Sequence, residues 1–363
     1  MAMPTGSFSE LLAQLPEQPG DLGGRVEACI AQARIRARAE YEAAVAAADA
    51  LKAAGRQDLH DRILLSLPLE QLTEWRSRKN YKRIPLGVSF AAGMSQYRQF
   101  TRAMSALQGI GPTRRLFQKR QGQDFARRLG LQVAAQIQTD VRLEDLSPRP
   151  GTLVKPTRDS GSRGVILCRR DGTFFDLRNK ITLHGPDAVR DSLRQGMASG
   201  YLLSKRFHLE ELLEGEDGAT PPHDLKFYTF YGKVGLVLEV RRGTVDRHCF
   251  YVDGTETETG KYPDALFSGQ GFPPEWEALA ARISLKVPLP FLRIDFYRTA
   301  QGLYAGEFTS APGNYEGFNL QFDRHLGWML AEAQARLHHD LLHGARFDEY
   351  RAFIDPNKEE IPA

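Results

Sequence analysis

The runs FLRIDFY at residues 291–297 and LYAGEFT at 303–309, separated by a short turn, decide how this chain is read. Side chains alternate along a strand, so Leu292, Ile294 and Phe296 share one face while Arg293 and Asp295 share the other. In the second run Glu307 and Thr309 fall together, and Tyr304 and Phe308 point the opposite way. A hairpin about Gln301 sets Asp295 opposite Glu307, because the two are equally far from the turn. Two carboxylates opposed on one sheet face repel each other unless a cation lies between them. A magnesium site explains the pairing, since this ion takes one or two carboxylates together with substrate phosphates. The competing reading is a solvated hairpin face on which Arg293 balances Asp295. Apolar flanks on both strands favour the metal.

Upstream, GTLVKP at 151–156, DSGSRG at 159–164 and VILC at 165–168 describe a strand ending in Lys155, a loop of small residues and a return strand. Glycines at a hairpin tip let backbone N–H groups approach phosphate oxygens, and Lys155 adds a fixed positive charge. The GxxxxGK[ST] pattern of a P-loop is absent. By itself this stretch is more commonly an ordinary flexible β-turn with a surface lysine. A third stretch joins LEELLE at 209–214, a polar loop, and DLKFYTFYGKV at 224–234. Asp224, Lys226 and Tyr228 share a strand face that needs polar partners, either within an Asp224–Lys226 network or from an anionic ligand.

Around these motifs helical and strand signals are mixed. Residues 21–55 form one long amphipathic helix, with no glycine or proline from Arg25 to Ala54. Shorter helices are expected at Asp58–Ser66 and Leu69–Arg78, a buried strand at Ile84–Phe90 and a helix at Met94–Leu107. After the Ile110-Gly111-Pro112 break come a basic helix at Thr113–Leu129, a strand at Leu131–Ile137 and a linker at Pro148–Pro150. Later helices are read at Pro186–Ala198, Pro274–Ile283, Arg324–Leu342 and Phe347–Phe353. Strands and helices do not alternate strictly, which favours an α+β arrangement with antiparallel sheets over a doubly wound parallel one. The expected divisions are a helical N-terminal region (1–84), a linking region (85–150), a subdomain carrying the glycine loop (151–215), and a subdomain carrying the metal site and C-terminal helices (216–363).

Composition narrows the class. Of 363 residues, 42% are hydrophobic and 26% charged, which are globular values. Lysine and arginine exceed aspartate and glutamate by only 48 − 45 = 3, so no nucleic-acid partner is expected. The local cluster Arg76, Arg78, Lys79, Lys82 and Arg83 reads as a solvated face. Cys29, Cys168 and Cys249 are far apart and suit a reducing compartment. No leader and no apolar run long enough to span a membrane are found, so a cytoplasmic protein is expected.

The order of these motifs resembles the ATP-grasp superfamily, and most closely its TupA-like branch, associated with teichuronopeptide biosynthesis. The matching residues are LVKP at 153–156, SGSRG at 160–164, EELL at 210–213, DLKFYTFYGKV at 224–234 and RIDFY…YAGEFTSAPG at 293–313. Upstream, LFQKRQGQDFARRLGL at 116–131 resembles the segment that carries a further nucleotide lysine. The resemblance spans about residues 112–330.

What it implies is an ATP-grasp-like fold in which two β-rich subdomains sandwich ATP. Lys119 and Lys155 would meet the phosphates, with Ser160, Gly161, Ser162 and Gly164 forming a lid loop. Glu210, Glu211, Leu212 and Leu213 would make the adenine hinge. Asp224 belongs to the same nucleotide site, Lys226 and Arg293 would face the γ-phosphate or an acyl phosphate, and Asp295, Glu307 and Thr309 would hold Mg2+. Many members carry asparagine where this chain has Thr309, which bears on a second metal position. The implied activity is an ATP-dependent carboxylate–amine ligase acting on small amino-acid or peptide-like substrates. An ATP-grasp kinase acting on a hydroxyl, or a non-catalytic nucleotide-binding protein, are the alternatives. Arg158, Arg163, Arg241 and Arg242 are further candidates for an acidic substrate.

Overall fold

A computed structural model describes residue 8 and residues 22–67, 74–80, 84, 86–108, 113–159 and 161–355. The chain divides into two compact units, residues 1–89 and 90–363.

The first unit is helical over its described residues, with α1 (Leu22–Ala53), α2 (Gln57–Ser66) and α3 (Glu74–Asn80). Alanine, arginine and glutamate dominate α1 and have high helix propensity. The helix stops at Gly55, whose φ of +79° suits glycine. Gly55 N–H donates to Lys52 O and Arg56 N–H to Leu51 O, the paired bonds of a Schellman cap. Val45 and Ala48 of α1 pack with Leu64, Leu67, Ile84 and Leu86. The strand expected at Ile84–Phe90 is not formed: Ile84 lies in a bend, a turn follows at 86–87, and Phe90 opens a helix. Ile84 and Leu86 are buried as expected, but they fill a helical cluster and bond locally, Ile84 N–H to Asn80 O and Leu86 N–H to Ile84 O. Of the helix expected at Leu69–Arg78, residues 69–73 lie outside the described residues, as does the 110–112 break.

The second unit begins with α4 (Phe90–Gln108), α5 (Thr113–Leu116) and α6 (Lys119–Arg128). A first sheet follows, built from β1 (Gln136–Arg142), β2 (Thr152–Pro156), β3 (Ile166–Cys168), β4 (Phe174–Asp176), β5 (Ile181–Leu183) and β6 (Arg206–Glu211), with α7 (Gly185–Ala198) before β6. Its strand order is β1-β6-β2-β3-β4-β5. The second sheet comprises β7 (Asp224–Thr229), β8 (Val234–Arg241), β9 (Arg247–Val252), β10 (Thr255–Glu256), β11 (Leu292–Thr299) and β12 (Gly302–Thr309), in the order β10-β9-β8-β7-β11-β12. Helices α8 (Pro274–Ser284), α9 (Leu320–Leu342) and α10 (Asp348–Ile354) complete the unit. Every strand pair in both sheets is antiparallel, as the α+β reading requires.

The strand expected at Leu131–Ile137 begins later, at Gln136. Leu131 and Val133 instead pack against the core of the second sheet, and Gln132 makes an isolated bridge to Tyr304. The apolar spacing that resembled a strand therefore serves a connector between the sheets.

The two faces of the second sheet pack differently. Leu225, Phe227, Leu292, Ile294, Phe296 and Phe308 face a core completed by Phe125, Ile283 and Phe353 from α6, α8 and α10. On the opposite face, Phe90 and Met94 of α4 and Phe322, Leu326 and Leu330 of α9 cover Tyr228, Leu236, Leu238 and Phe250. The rest of that face carries charged side chains. In the first sheet, Val154, Ile166, Phe207 and Leu209 bury against α7, while Leu153, Val165, Leu167 and Leu212 form a smaller cluster on the other side. No described helix is long and apolar enough to cross a membrane.

Candidate active site

The register of β11 and β12 places Asp295 opposite Glu307, Arg293 opposite Thr309 and Tyr297 opposite Tyr304. A bulge between Asp295 and Phe296 leaves Gly306 out of the pairing. Its consequence corrects one expectation: Phe308 does point into the core, but Tyr304 pairs with Tyr297 on the charged face instead of joining Phe308. Across β11 and β7, Asp295 pairs with Lys226, Arg293 with Tyr228 and Tyr297 with Asp224.

Three oxygens converge on one nitrogen. Arg293 Nη2 lies 2.7 Å from Asp295 Oδ2, 2.9 Å from Glu307 Oε1 and 3.3 Å from Thr309 Oγ1. Arg293 Nε adds a bond of 2.6 Å to Asp295 Oδ1, and Lys226 Nζ one of 2.5 Å to Asp295 Oδ2. Burial raises the Asp295 carboxyl, but Arg293 and Lys226 outweigh it and hold the group below the usual carboxylate range. Lys226 is conversely held above the ordinary lysine value, because Asp224 and Asp295 outweigh the cost of its burial.

Asp224 is drawn into a supporting network. Arg242 contacts its Oδ2 through Nη2 at 2.7 Å and Nε at 3.1 Å, while Lys226 lies 3.4 Å away. Against burial, these two cations hold the Asp224 carboxyl down to about 2. Arg242 also bonds Asp246, which in turn accepts from Lys180 of the first sheet's β4–β5 turn at 2.8 Å. Of the four additional arginines, Arg242 is thus internal to the site; Arg158 is exposed, Arg163 lies 3.7 Å from Asp159, and Arg241 packs over Phe267.

From the first sheet, Lys155 Nζ sits 2.5 Å from Glu210 Oε2 and over the Tyr297 ring, 5.8 Å from its centroid. Glu210 is buried and also accepts from Gln136 at 2.7 Å and Gln123 at 3.3 Å. It is a side-chain hub as well as part of the segment 210–213. Two amides of that segment are already donated, Glu211 N–H to Ala135 O and Leu212 N–H to Gly151 O. Lys119, at the start of α6, donates to Pro156 O at 2.9 Å. Burial and the nearby Lys155 charge bring its ammonium down to about 8.

The loop is anchored at its base. Asp159 accepts from the backbone of Ser204 and Leu203, and a Cβ at Gly164 would lie 2.8 Å from Pro156 Cγ. Gly161 has nothing within reach of an added Cβ, and Ser162 adopts φ +63°. Ser160 lies outside the described residues. Gly161, Ser162 and Gly164 make no hydrogen bond to the charged cluster among the described residues, in contrast to Lys155 and Lys226.

The positive charge between Asp295 and Glu307 is Arg293, as the competing reading of this hairpin had it, although Asp295 is buried and not solvated; the oxygens of Asp295, Glu307 and Thr309 are the hard donors a divalent cation takes. Sequence reading missed several parts of the cluster: Gln123, Gln136 and Tyr297, the pairing of Lys155 with Glu210, and the Asp246–Lys180 link. Tyr297 alone carried a signal, the alternation it shares with Arg293 and Asp295.

Residues 114–331 match the model of the TupA-like ATP-grasp family, and the chain belongs to that family. The two-sheet antiparallel architecture is therefore an ATP-grasp fold, as the resemblance implied. Among solved structures, the chain is similar to D-alanine–D-alanine ligase from Bacillus anthracis, with 16% identity over 61% of this chain and 68% of that one and a TM-score of 0.39. It is also similar to the ATP-grasp ligase PsnB, determined with a phosphomimetic variant of minimal precursor, Mg and ADP, with 15% identity, coverage of 74% and 76%, and a TM-score of 0.38. No curated protein matches the chain.

Proposed function

We propose that this protein is an ATP-dependent ligase that joins a carboxylic acid to an amine through an acyl phosphate, releasing ADP and phosphate. The observation that carries the reading is the gathering of Asp295, Glu307 and Thr309 oxygens around Arg293, flanked by Lys226, with Lys155 of the first sheet over Tyr297 and Lys119 of α6 bonded to Pro156 O. In this reading Lys119 and Lys155 bind the nucleotide phosphates, with Gly161 and Ser162 closing over them. The adenine lies by the apolar cluster of Leu153, Val165 and Leu212, next to Glu210–Leu213. Asp295, Glu307 and Thr309 hold Mg2+, which when bound supplies charge neutralisation to the phosphates.

The chain's own residues then position and neutralise. Arg293 and Lys226 face the γ-phosphoryl group as it passes from the ADP oxygen to a substrate carboxylate oxygen. The bond to the β-phosphate bridge breaks as the new P–O bond forms. The amine lone pair next attacks the acyl carbon, phosphate departs with its bonding electrons, and the amine gives up a proton. Phosphorylation turns a poor carboxylate leaving oxygen into a good one, so no nucleophilic serine or cysteine is needed. All three cysteines are buried.

The test is ADP release from Mg-ATP over a panel of amino acids and small acids, offered singly and in pairs. Release that requires one acid and one amine together supports the ligase. Release with a single hydroxylated compound and no amine, with phosphate retained in product, replaces it by a kinase.

A further inference from the structure

Most cations of the site hold a carboxylate. Lys155 has Glu210, Lys226 has Asp295, Arg242 has Asp224 and Asp246, and Arg293 has Asp295 and Glu307. Lys119 and Lys261 have none among the described residues. Lys119 is half-buried and donates to a carbonyl, but Lys261 is only 3% exposed and makes no hydrogen bond to a described residue. A buried ammonium without an anion is costly, so such a group persists where something outside the resting protein completes it.

The fold holds Lys261 in place by close backbone approach. Gly260 takes φ +81°, and a Cβ there would lie 2.8 Å from Asn319 Cβ and 2.9 Å from Asn319 N. Asn319 N–H donates to Thr259 O at 2.8 Å, which fastens this segment onto residues 317–319. Gly317 leaves room for the lysine stem, since a Cβ at that position would lie 3.2 Å from Lys261 Cγ. The ammonium lies 4.5 Å from the Phe318 ring centroid and 5.5 Å from that of Tyr262. These aromatic faces offset part of the charge's burial without neutralising it. Arg293 is near enough to repel the ammonium, and burial with that repulsion brings Lys261 down to about 8; Glu316 acts in the opposite sense.

Position along the sheet separates this lysine from the nucleotide lysines. On the charged face of β11 the order runs Tyr297, Asp295, Arg293. Lys155 sits over Tyr297, at one end. Lys261 sits over Phe318, whose ring is 6.2 Å from that of Tyr228, and Tyr228 pairs with Arg293 at the other end. Four residues of strand separate the two ends, roughly 13 Å at about 3.3 Å per residue. An anion at Lys261 therefore lies beyond Arg293 from the Lys155 end.

We propose that Lys261 is the receptor for the acid substrate's carboxylate, which it presents to Arg293 from the side opposite Lys155. This rests on the ligase reading only for naming the anion as a substrate; the carboxylate-binding position stands on the geometry. Lys261 binds the ground-state carboxylate and keeps contact as the oxygen accepts the phosphoryl group. Its stem and the rings of Phe318 and Tyr262 exclude water from that end of the site.

The experiment compares the full-length protein with Lys261→Met, which keeps the stem and removes the charge. Three quantities are measured: the melting temperature, the Kd for Mg-AMPPNP, and calorimetric binding of acetate, succinate and the common amino acids to the Mg-AMPPNP-loaded protein. The proposal expects Lys261→Met to melt no lower than the wild type and to keep nucleotide affinity within about twofold. It also expects saturable binding of at least one carboxylate by the wild type, weakened tenfold or more by the substitution. A lower melting temperature with unchanged carboxylate binding overturns it in favour of a structural lysine. A tenfold loss of nucleotide affinity overturns it in favour of a phosphate contact, and carboxylate binding that is equal or undetectable in both proteins also overturns it. Lys261-dependent carboxylate binding without acid- and amine-dependent ADP release leaves the proposal standing and removes the ligase reading.

Discussion

Arg293 grips Asp295 and Glu307 unequally: it meets Asp295 through two nitrogens at 2.6 and 2.7 Å, but Glu307 through one, at 2.9 Å. The Asp295 side chain is 4% exposed and that of Glu307 46% exposed. The two carboxylates of the proposed metal site therefore carry different structural weight. Glu307 is free to exchange its arginine for a metal, whereas Asp295 is bound into the fold.

Substitution separates the two roles. Glu307→Gln is expected to abolish turnover while changing unfolding free energy by no more than about 1 kcal/mol, the range of partly exposed pairs. Asp295→Asn is expected to abolish turnover and also destabilise by about 3–5 kcal/mol, because Arg293 and Lys226 lose the buried carboxylate they share and keep only Glu307 and Asp224. Denaturant unfolding beside ADP-release assays checks both. Near-normal activity in Glu307→Gln would remove it from the metal site.

The Lys155–Glu210 pair allows structure and binding to be told apart. Lys155→Met leaves the buried Glu210 with its two glutamine partners alone and should destabilise by about 3–5 kcal/mol. Adding Glu210→Gln should recover most of that stability but none of the nucleotide affinity. If the double variant regains nucleotide binding, Lys155 serves the fold alone.

Titration of Lys119 gives a pH signature. Its folded-state value of about 8 is below the ordinary 10.5, so between those values the unfolded chain binds more protons. Stability from this group consequently rises with pH across that window, while nucleotide affinity falls because the phosphates need the charged form. A Kd for Mg-AMPPNP that weakens by up to about tenfold per pH unit above 8 is expected, and Lys119→Met should flatten that dependence. An unchanged slope in the variant would place the lysine outside the phosphate site.

The loop at 159–164 is pinned at Asp159 and Gly164 and open at Gly161. Mg-AMPPNP should therefore slow proteolysis within the loop without changing cleavage elsewhere. Equal cleavage with and without nucleotide would show that the loop does not close on the phosphates.

Much of this site was legible because strand alternation is local. The separation of Leu292, Ile294 and Phe296 from Arg293 and Asp295 follows from a two-residue period and survives in the packing. The opposition of Asp295 and Glu307 was also legible, although by a different route. The turn pairs Thr299 with Gly302, which alone would set Asp295 against Gly306; the Gly306 bulge advances the register by one and restores the pair. Tyr304 lies before that bulge and so took the other face. Failures came where partners are distant in sequence. Ile84–Phe90 and Leu131–Ile137 have strand-like apolar spacing, but short runs of this kind fit any buried segment, and cores elsewhere claimed them. Lys261 gave no signal, since its burial depends on Gly260 and Gly317 approaching from separate segments.

The most direct test of the central claim follows oxygen. An acid substrate found by the ADP-release panel is supplied with 18O in its carboxylate, and the released phosphate is analysed by mass spectrometry. Acyl-phosphate ligation predicts one 18O per phosphate, in step with amide formation and ADP. Unlabelled phosphate alongside product would contradict the account, because the carboxylate oxygen would then never have carried the phosphoryl group.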